Sequence, residues 1–316
     1  MSEPVTSQVI CIGGAAVDRK YHARQPIVPE TSNPVSSERS FGGVARNVAE
    51  NLSRLRVPCS LVSLVGQDEN GRAMLQHLAQ LGIDSRHVHV SEEHVTAEYV
   101  AVLQPSGDLA VGLADMAIFD AFGPVRLQEI WPDLPSSAWL FADCNLPADT
   151  LHALLDLSRR QSRLLAVDAV STAKAMRLPG DLRGVGLLFL NRDEARALTG
   201  RSLPPAEAAS ALLRRGAARI VLTCGPDGVV VADASGVATL PSGTVRIVDA
   251  TGAGDALIAA SLTGLMRGLP LADAARLGML AARLTLEHHA SVRPDLSLSL
   301  LEAAATPVFE REAHDL

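Results

Sequence analysis

Short apolar runs that alternate with amphipathic helical stretches constrain the fold of this chain most strongly. The apolar runs are candidate buried strands: Val9–Ile12, Ser60–Val65, Trp139–Ala142, Leu164–Val167, Leu187–Leu190 and Ile220–Thr223. The candidate helices have apolar residues at helical spacing: Val44–Leu55, Gly71–Leu81, Thr150–Arg160, Arg192–Leu198, Ala206–Arg215 and Leu271–Leu286. Near-continuous apolar strands among helices are typical of a mostly parallel central sheet flanked by helices on both faces. We therefore predict an α/β fold.

Two segments interrupt this alternation. Residues 18–40 are rich in Pro, Ser, Thr and charged residues, and residues 95–115 have the pattern of a β-hairpin with strands at Thr96–Leu103 and Leu109–Ala114. We expect a small β lid, formed by about residues 16–40 and 95–118, that covers a site on the main domain and excludes water from it. Residues 1–316 would then form a single domain with the lid inserted and a peripheral tail at 300–316.

Charge and apolar content exclude several functional classes. The net charge is −7 without a basic block, which argues against a nucleic-acid polymer as partner. No apolar run reaches the length of a membrane span, and the N-terminus lacks a signal-like segment. Cys11, Cys59, Cys144 and Cys224 lack paired spacing and are interpreted as buried thiols. We expect a cytoplasmic protein that acts on a small molecule.

The stretch Asp249-Ala-Thr-Gly-Ala-Gly-Asp255, which leads into an apolar helix, carries the clearest chemistry. A glycine-rich loop at a helix N-terminus presents free N–H groups and the positive end of the helix dipole to a phosphate. The amides of Gly252, Ala253 and Gly254 would stabilise a migrating phosphoryl group, and Asp255 would accept the proton of the attacking hydroxyl. At an ordinary pKa Asp255 is ionised at pH 7, and neighbouring phosphates would raise that pKa. An ordinary strand–helix connection is the alternative.

This motif resembles the second signature of the PfkB, or ribokinase-like, family of sugar and nucleoside kinases. The stretch Gly42-Gly-Val-Ala-Arg-Asn47 resembles the first signature of the same family. The resemblance implies a ribokinase-like fold, ATP as phosphoryl donor, and contacts from Gly42, Gly43 and Asn47 to the sugar. Two glycines let a ribose approach the backbone closely, and Asn47 offers both a donor and an acceptor. A plain helix start with Gly42 near the cap is the alternative.

Asp18 follows the first predicted strand, at the sheet edge where α/β proteins bind ligands. In the family an Asp at this place binds sugar hydroxyls, and a carboxylate suits the vicinal diol of a ribose. The family often has Asn two residues earlier, whereas this chain has Ala16, so one polar contact is missing or comes from elsewhere. An exposed turn Asp is the alternative.

Two further motifs resemble the nucleotide side of the family. Asn191 and Glu194 match its Asn-x-x-Glu element, which holds Mg²⁺ and the ATP phosphates partly through water. The same pair is also a helix capping box, and both roles are compatible. Thr223, Gly225 and Gly228 resemble the nucleotide-side loop, and they form a β-turn in any case.

The resemblance also implies a monovalent cation and an oligomer. In the family, backbone carbonyls near Asp249 and Thr251, and near residues 287–292, often hold K⁺, and we also assign Thr251 to the nucleotide side. Many relatives associate through the lid, so we expect a homodimer by analogy.

Several longer strings are similar to pseudouridine kinases within the family. They are Gly13–Lys20, Thr31–Val35, Gly42–Asn51, Leu113–Met116 and Asp168–Lys174. The similarity implies transfer of a phosphoryl group from ATP to the 5′-hydroxyl of pseudouridine.

A uracil ring linked through carbon presents two N–H donors and two carbonyl acceptors. The candidate groups to bind them are Thr31, Ser32, Asn33, Asp115 and Lys174. A solvated turn at 31–33 and a surface cation at Lys174 are the alternatives. The stacking partner for the base is left open among Tyr21, Phe41 and Tyr99.

Three other functions compete with this one. Another kinase of the family, acting on ribose, a sugar acid, adenosine or inosine, would carry the same signatures. A kinase-like protein that binds a nucleoside without turnover is a second alternative, although four intact residues argue against it: Glu194, Gly252, Gly254 and Asp255. An oxidoreductase using Gly13 and Gly14 is a third, but this loop lacks the GxGxxG pattern.

Overall fold

The computed structural model describes residues 8–243, 245 and 247–304. The predicted tail at 300–316 therefore lies mostly outside the described residues. The strands are β1 (Val9–Ile12), β2 (Ala16–Ala23), β3 (Val35–Gly42), β4 (Cys59–Gly66), β5 (Asp84–Ser91), β6 (Glu98–Leu103), β7 (Leu109–Asp115), β8 (Trp139–Asp143), β9 (Leu165–Asp168), β10 (Leu187–Asn191), β11 (Ile220–Thr223), β12 (Val229–Asp233) and β13 (Gly236–Leu240). The α-helices are α1 (Val44–Arg54), α2 (Glu69–Gln80), α3 (Pro124–Ile130), α4 (Ala148–Arg160), α5 (Thr172–Ala175), α6 (Arg192–Thr199), α7 (Pro205–Arg214), α8 (Ala253–Met266) and α9 (Leu271–Leu286).

Nine strands form one large sheet in the order β13-β12-β11-β10-β9-β8-β1-β4-β5. The strands from β11 to β5 run parallel, and β12 pairs antiparallel with both β11 and β13. The interior strands β1 and β4 are buried along their whole length because helices cover both faces of the sheet. The predicted α/β fold with a mostly parallel sheet is confirmed.

Two hydrophobic cores fill the spaces between this sheet and its helices. One core packs α1, α2, α8 and α9 against one face, and the other packs α3, α4, α6 and α7 against the opposite face. Helix α8 is buried from residue 255 to residue 264, which explains why its sequence is apolar on every side. No helix in the described ranges combines the length and apolarity that crossing a bilayer requires.

A second, four-stranded sheet has the order β3-β2-β6-β7. The predicted hairpin is confirmed as β6 and β7, and β2 and β3 complete the small lid sheet. Side chains alternate between its faces. The register places Asp18, Lys20 and Tyr99 on one face, the inner lid face, because Lys20 reaches the main domain from there. Arg19, Val100 and Leu113 lie on the opposite, outer lid face.

The topology of the large sheet fixes where a ligand can bind. Strand β1 lies between β4 and β8 in the sheet. After β1 the chain first adds β4 and β5 on one side, and later adds β8 and the strands beyond it on the other side. In open α/β sheets, such a reversal of strand order opens a crevice beyond the carboxyl ends of the strands. Gly13 and Gly14 follow β1 at this point, and Asp143 ends β8.

Candidate active site

The loop before α8 has the geometry of an anion site. Gly252 has a φ of 79°, and a side chain there would overlap the carbonyl oxygen of Ser291, so only glycine fits. The Asp249 carboxylate accepts a hydrogen bond from the Thr251 amide at 2.8 Å, which holds the turn. Helix α8 begins at Ala253, and the space beside Gly254 is open for 4 Å. The free N–H groups and the dipole of this long helix therefore face an accessible volume.

Asp255 lies in the first turn of α8, with its carboxylate buried in the crevice. Asn47 of α1 donates a hydrogen bond from Nδ2 to Asp255 Oδ2 at 2.7 Å. Burial raises the pKa of Asp255 to about 7, although the Asn47 hydrogen bond and the charge of Arg46 oppose the shift. We expected bound phosphates to cause such a rise, whereas burial already produces it in the protein alone. A carboxylate with this pKa is well matched to take a proton near neutral pH.

The predicted sugar-binding residues surround Asp255. The Asp18 carboxylate of β2 lies directly over Gly42, where a side chain would overlap it. Gly43 has a φ of 90° and packs against the Gly14 carbonyl. Asn47 Oδ1 is buried and has no hydrogen-bond partner among the described residues. A hydroxyl group of a bound sugar would donate a hydrogen bond to this oxygen. Such a contact is favourable because a buried polar atom without a hydrogen-bond partner costs free energy.

Asp143 is a buried carboxylate that sequence analysis missed. It accepts hydrogen bonds from the amides of Gly14 at 2.9 Å, Ala45 at 2.8 Å and Asn145 at 2.9 Å. Burial raises the pKa of Asp143, and these three amides oppose that rise. Asp143 thus joins the end of β1, the start of α1 and the end of β8. Its position directly after an apolar strand was the available signal.

Arg46, inside the first signature, was also missed. Its side chain is buried and donates hydrogen bonds to the carbonyls of Gly42 at 3.1 Å and Phe41 at 2.6 Å, and to Glu50. All of these contacts hold the segment that leads from the lid into α1. The guanidinium therefore has a positioning role, and no sequence pattern separates it from a solvated helix arginine.

The carboxylates of the acceptor and nucleotide sides interact within one crevice. Burial raises the pKa of Asp168, at the end of β9, well above its usual range. The charges of Asp255, Glu194 and Asp143 raise the pKa of Asp168 further. The crevice thus brings several buried carboxyl groups together, and burial favours their uncharged forms.

Lys20 brings a cation from the lid to the anion loop. Its Nζ donates a hydrogen bond to Asp249 Oδ2 at 2.7 Å. Burial alone would raise the pKa of Asp249, but the hydrogen bonds from Lys20 and Thr251 outweigh it and hold that pKa below its usual value. Sequence analysis did not single out Lys20, although the chain contains just one other lysine, Lys174.

The predicted base-binding residues separate into two groups. Asp115 and Lys174 line one cavity of about 290 Å³ together with Asn145, which accepts a hydrogen bond from Lys174 Nζ at 2.6 Å. Burial lowers the pKa of Lys174. Thr31 and Ser32 are exposed in the connection between β2 and β3.

Asn33 is occupied by its own loop. Its side chain exchanges hydrogen bonds with the Val28 backbone at 2.8 and 2.9 Å and donates another to the Thr31 carbonyl at 3.1 Å. In this arrangement Asn33 holds the turn rather than pointing to the crevice, which favours the alternative of a solvated turn at 31–33.

Of the three candidate stacking residues, one lies on the inner lid face and two lie on the outer lid face. Tyr99 is on the inner lid face and lies across Gly112 of the neighbouring strand. Tyr21 belongs to the outer lid face by register, and Phe41 stacks on His77 at a centroid distance of 4.6 Å. Tyr99 alone of these three shares a face with Asp18.

The nucleotide-side residues lie at the ends of adjacent strands. Asn191 and Thr223 are register partners on β10 and β11, and Gly225 and Gly228 shape the following turn with φ values of 60° and 94°. Glu194 completes the capping box: Oε2 accepts from the Asn191 amide and Oε1 from Asn191 Nδ2, both at 2.8 Å.

This geometry is compatible with Mg²⁺ held through water. Each Glu194 oxygen accepts one hydrogen bond and keeps a second lone pair. Within the described ranges, no three His, Cys, Asp or Glu side chains converge to hold a metal by themselves. Mg²⁺ usually keeps several waters and relies on one or two carboxylates plus substrate phosphates, so Asn191 and Glu194 fit such an ion.

Comparisons with known proteins identify the family of this chain. The pfkB family of carbohydrate kinases matches residues 6–297. The chain is 30% identical to the pseudouridine kinase of Escherichia coli K12, over 92% of this chain and 94% of that protein. A carbohydrate kinase structure from Agrobacterium tumefaciens is 32% identical, with a TM-score of 0.85 over 95% of this chain and 97% of the other.

A ribokinase structure from Thermotoga maritima matches the fold alone. It is 19% identical, with a TM-score of 0.83 over 95% of this chain and 99% of the other. The architecture is therefore ribokinase-like, and the family match identifies the protein as a kinase that phosphorylates an alcohol. The chain belongs to the PfkB family of carbohydrate kinases.

Proposed function

We propose that this protein transfers the γ-phosphoryl group of ATP to the 5′-hydroxyl of pseudouridine, giving pseudouridine 5′-phosphate and ADP. The contact between Asn47 and Asp255 beside the α8 N-terminus carries this proposal. It joins a base with a pKa of about 7 to an anion site through side chains from the two family signatures.

The protein's own residues perform four tasks in the proposed reaction. Asp18 and Asn47 bind the ribose hydroxyls, and Gly42 and Gly43 let the sugar approach the backbone. Asp255 takes the proton of the 5′-hydroxyl as its oxygen attacks phosphorus. The amides of residues 252–254 bind the developing charge. Mg²⁺, held through water by Asn191 and Glu194, would neutralise phosphate charge.

The base cavity supports a uracil-type ligand. Asn145, Lys174 and Asp115 offer donors and acceptors along its wall, and Tyr99 offers a flat apolar surface on the inner lid face. The 30% identity to a pseudouridine kinase over most of both chains points to the same acceptor. We assign no role in base recognition to Asn33 while its side chain holds the turn.

Three secondary features complete the proposal. K⁺ would bind backbone carbonyls near Asp249 and Thr251, where the loop packs against Ser291. The four cysteines are free and buried, which fits a reducing cytoplasm. The outer lid face would form the interface of a homodimer. The apolar side chains Val111 and Leu113 are about half exposed there, and a second copy of the chain would cover them.

The test is an acceptor panel with purified protein, Mg·ATP and an ADP-release assay. Pseudouridine, uridine, inosine, adenosine and ribose are compared by kcat/KM. Uridine is the matched control because it differs from pseudouridine only in how the base is attached. We expect pseudouridine to be preferred, and equal or better turnover of another acceptor would reject it.

The Asp255→Asn variant tests the assigned base. Its kcat should fall by about 10²–10⁴-fold, the typical contribution of a general base. The Kd of the nucleoside substrate is measured by calorimetry without nucleotide and should change by less than about threefold. The amide oxygen of the new Asn side chain can still accept the hydrogen bond from Asn47 Nδ2, so the substrate site keeps its shape. Near-normal turnover in this variant would contradict the assignment of Asp255.

A further inference from the structure

This chain uses arginine rather than lysine at nearly all of its basic positions. Lys and Arg together number 28, and just two of them, Lys20 and Lys174, are lysines. Both lie at the candidate site, where Lys20 contacts Asp249 and Lys174 contacts Asn145. A composition that uses arginine almost everywhere retains lysine at two places where a compact, mobile point charge differs from a planar guanidinium.

Lys20 is placed between the two halves of the site. It shares the inner lid face with Asp18, two residues earlier on β2, and its charge lowers the Asp18 pKa that burial raises. Its Nζ reaches across to Asp249, the first residue of the anion loop. The Lys20 side chain is 25% exposed and that of Asp249 is 22% exposed, so the pair borders the open crevice.

The hydrogen bonding of Lys20 leaves it able to change partner. An ammonium group has three N–H donors, and Lys20 uses one of them within the described residues. Asp249 keeps its second hydrogen bond, to the Thr251 amide, when Lys20 leaves. The anion loop therefore retains its turn while the ammonium moves on its flexible four-carbon stem.

The charge of a bound phosphoryl donor calls for such a cation. The donor brings negative charge into a crevice lined by the buried carboxyl groups Asp143, Asp168 and Asp255, which cannot neutralise it. Buried Arg46 is engaged by Gly42, Phe41 and Glu50. Phosphoryl transfer depends on cations positioned against the migrating group.

We propose that Lys20 is a catalytic residue whose ammonium group leaves Asp249 and binds the phosphoryl group in transit. This inference rests on the proposed phosphoryl transfer. The acceptor hydroxyl oxygen forms a bond to the γ-phosphorus, and the bond from that phosphorus to the β–γ bridging oxygen breaks. Its electron pair leaves with ADP, and the hydroxyl proton passes to Asp255. Lys20 forms no covalent bond and stabilises the charge on the transferred oxygens.

Three variants test this role. Lys20→Met removes the charge and keeps the length, Lys20→Arg keeps the charge, and Arg19→Met removes a cation from the outer lid face of the same strand. Lys20→Met should lower kcat by about 100-fold or more, as loss of one preorganised transition-state donor does. Lys20→Arg should show an intermediate loss, and Arg19→Met should stay within about threefold of wild type.

A binding measurement distinguishes a catalytic role of Lys20 from a purely structural contact between Lys20 and Asp249. Affinity for ADP is compared with and without aluminium fluoride, which mimics the phosphoryl group in transit, in the presence of the acceptor and Mg²⁺. Lys20→Met should lose most of the gain from aluminium fluoride while its ADP affinity and thermal unfolding midpoint stay close to wild type. An unchanged gain, together with kcat within about threefold of wild type, would overturn the proposal.

The outcomes also distinguish this inference from the proposed function. If the wild type prefers an acceptor other than pseudouridine, the proposed substrate is wrong, and Lys20 is tested with the preferred acceptor. If no acceptor yields ADP and aluminium fluoride adds nothing to ADP binding, both proposals are rejected.

Discussion

Asp255 shows what a motif can and cannot predict about one residue. The glycine-rich string predicts that Asp255 is the base, and the structure places this residue in the first turn of α8. Its pKa depends on burial and on Asn47, Asp143 and Asp18, all distant in the chain. A pattern within seven residues contains none of that information, so the raised pKa could not be predicted from the sequence.

The raised pKa predicts a specific pH dependence of activity. Asp255 must be ionised to accept a proton, so kcat/KM should fall about tenfold per pH unit as pH decreases below about 7. The measurement is kcat/KM for the preferred acceptor between pH 5 and pH 9, since this parameter reports groups in the free enzyme.

Asp18 provides the control for this profile because burial raises its pKa too. Asp18→Asn should weaken acceptor binding and keep the decline below pH 7, whereas Asp255→Asn should remove the decline from its residual activity. A wild-type profile that stays flat from pH 9 down to pH 5 would mean that Asp255 has an ordinary pKa or another role.

At the scale of elements, the strands of the large sheet were predictable, whereas the strands within residues 16–40 of the predicted lid were not. The six predicted strands of the large sheet match the structure to within one residue at each end, because burial on both faces makes them continuously apolar. Strand β3 is mostly polar, and it is exposed from Ser36 to Ser40. It becomes a strand by pairing with β2, which is a tertiary effect that local composition does not encode.

The loop before α8 allows a matched pair of glycine substitutions. Gly252→Ala places a side chain against the Ser291 carbonyl at a φ of 79°, so the loop must shift. We expect unfolding free energy to fall by about 1–3 kcal/mol, a typical cost of backbone strain, and kcat to fall at least about 100-fold as the amides move. Thermal or urea unfolding and steady-state kinetics measure the two effects.

Gly254→Ala is the matched control within the same helix. Its side chain meets open space, and alanine favours a helix by up to about 1 kcal/mol, so stability should be kept or increased. Activity should still fall, because the new methyl group occupies the space where the phosphoryl group approaches the amides. Full activity in Gly254→Ala would place the phosphoryl group elsewhere.

At the scale of the whole molecule, the site exists because distant elements converge. Asp18 comes from the lid, Asn47 from α1, Asp143 from β8 and Asp255 from α8. The two family signatures supplied Asn47 and Asp255, the position after the first strand supplied Asp18, and Asp143 required the strand order around β1. The contact between Lys20 and Asp249 spans 229 positions of the chain, which only the folded lid brings together.

The outer lid face gives the prediction that concerns the whole assembly. Leu113 is 58% exposed on β7, so Leu113→Asp adds a charge to the surface without burying it in the monomer. Across a two-fold interface the same substitution buries two carboxylates, and we expect the dimer Kd to rise by at least about tenfold, or about 1.4 kcal/mol.

Val237→Asp on β13, where the side chain is 41% exposed, is the matched control and should remain dimeric. Sedimentation velocity at micromolar concentration distinguishes the species. A monomeric wild type, or a Leu113→Asp variant that dimerises as strongly as wild type, would exclude this face as the interface.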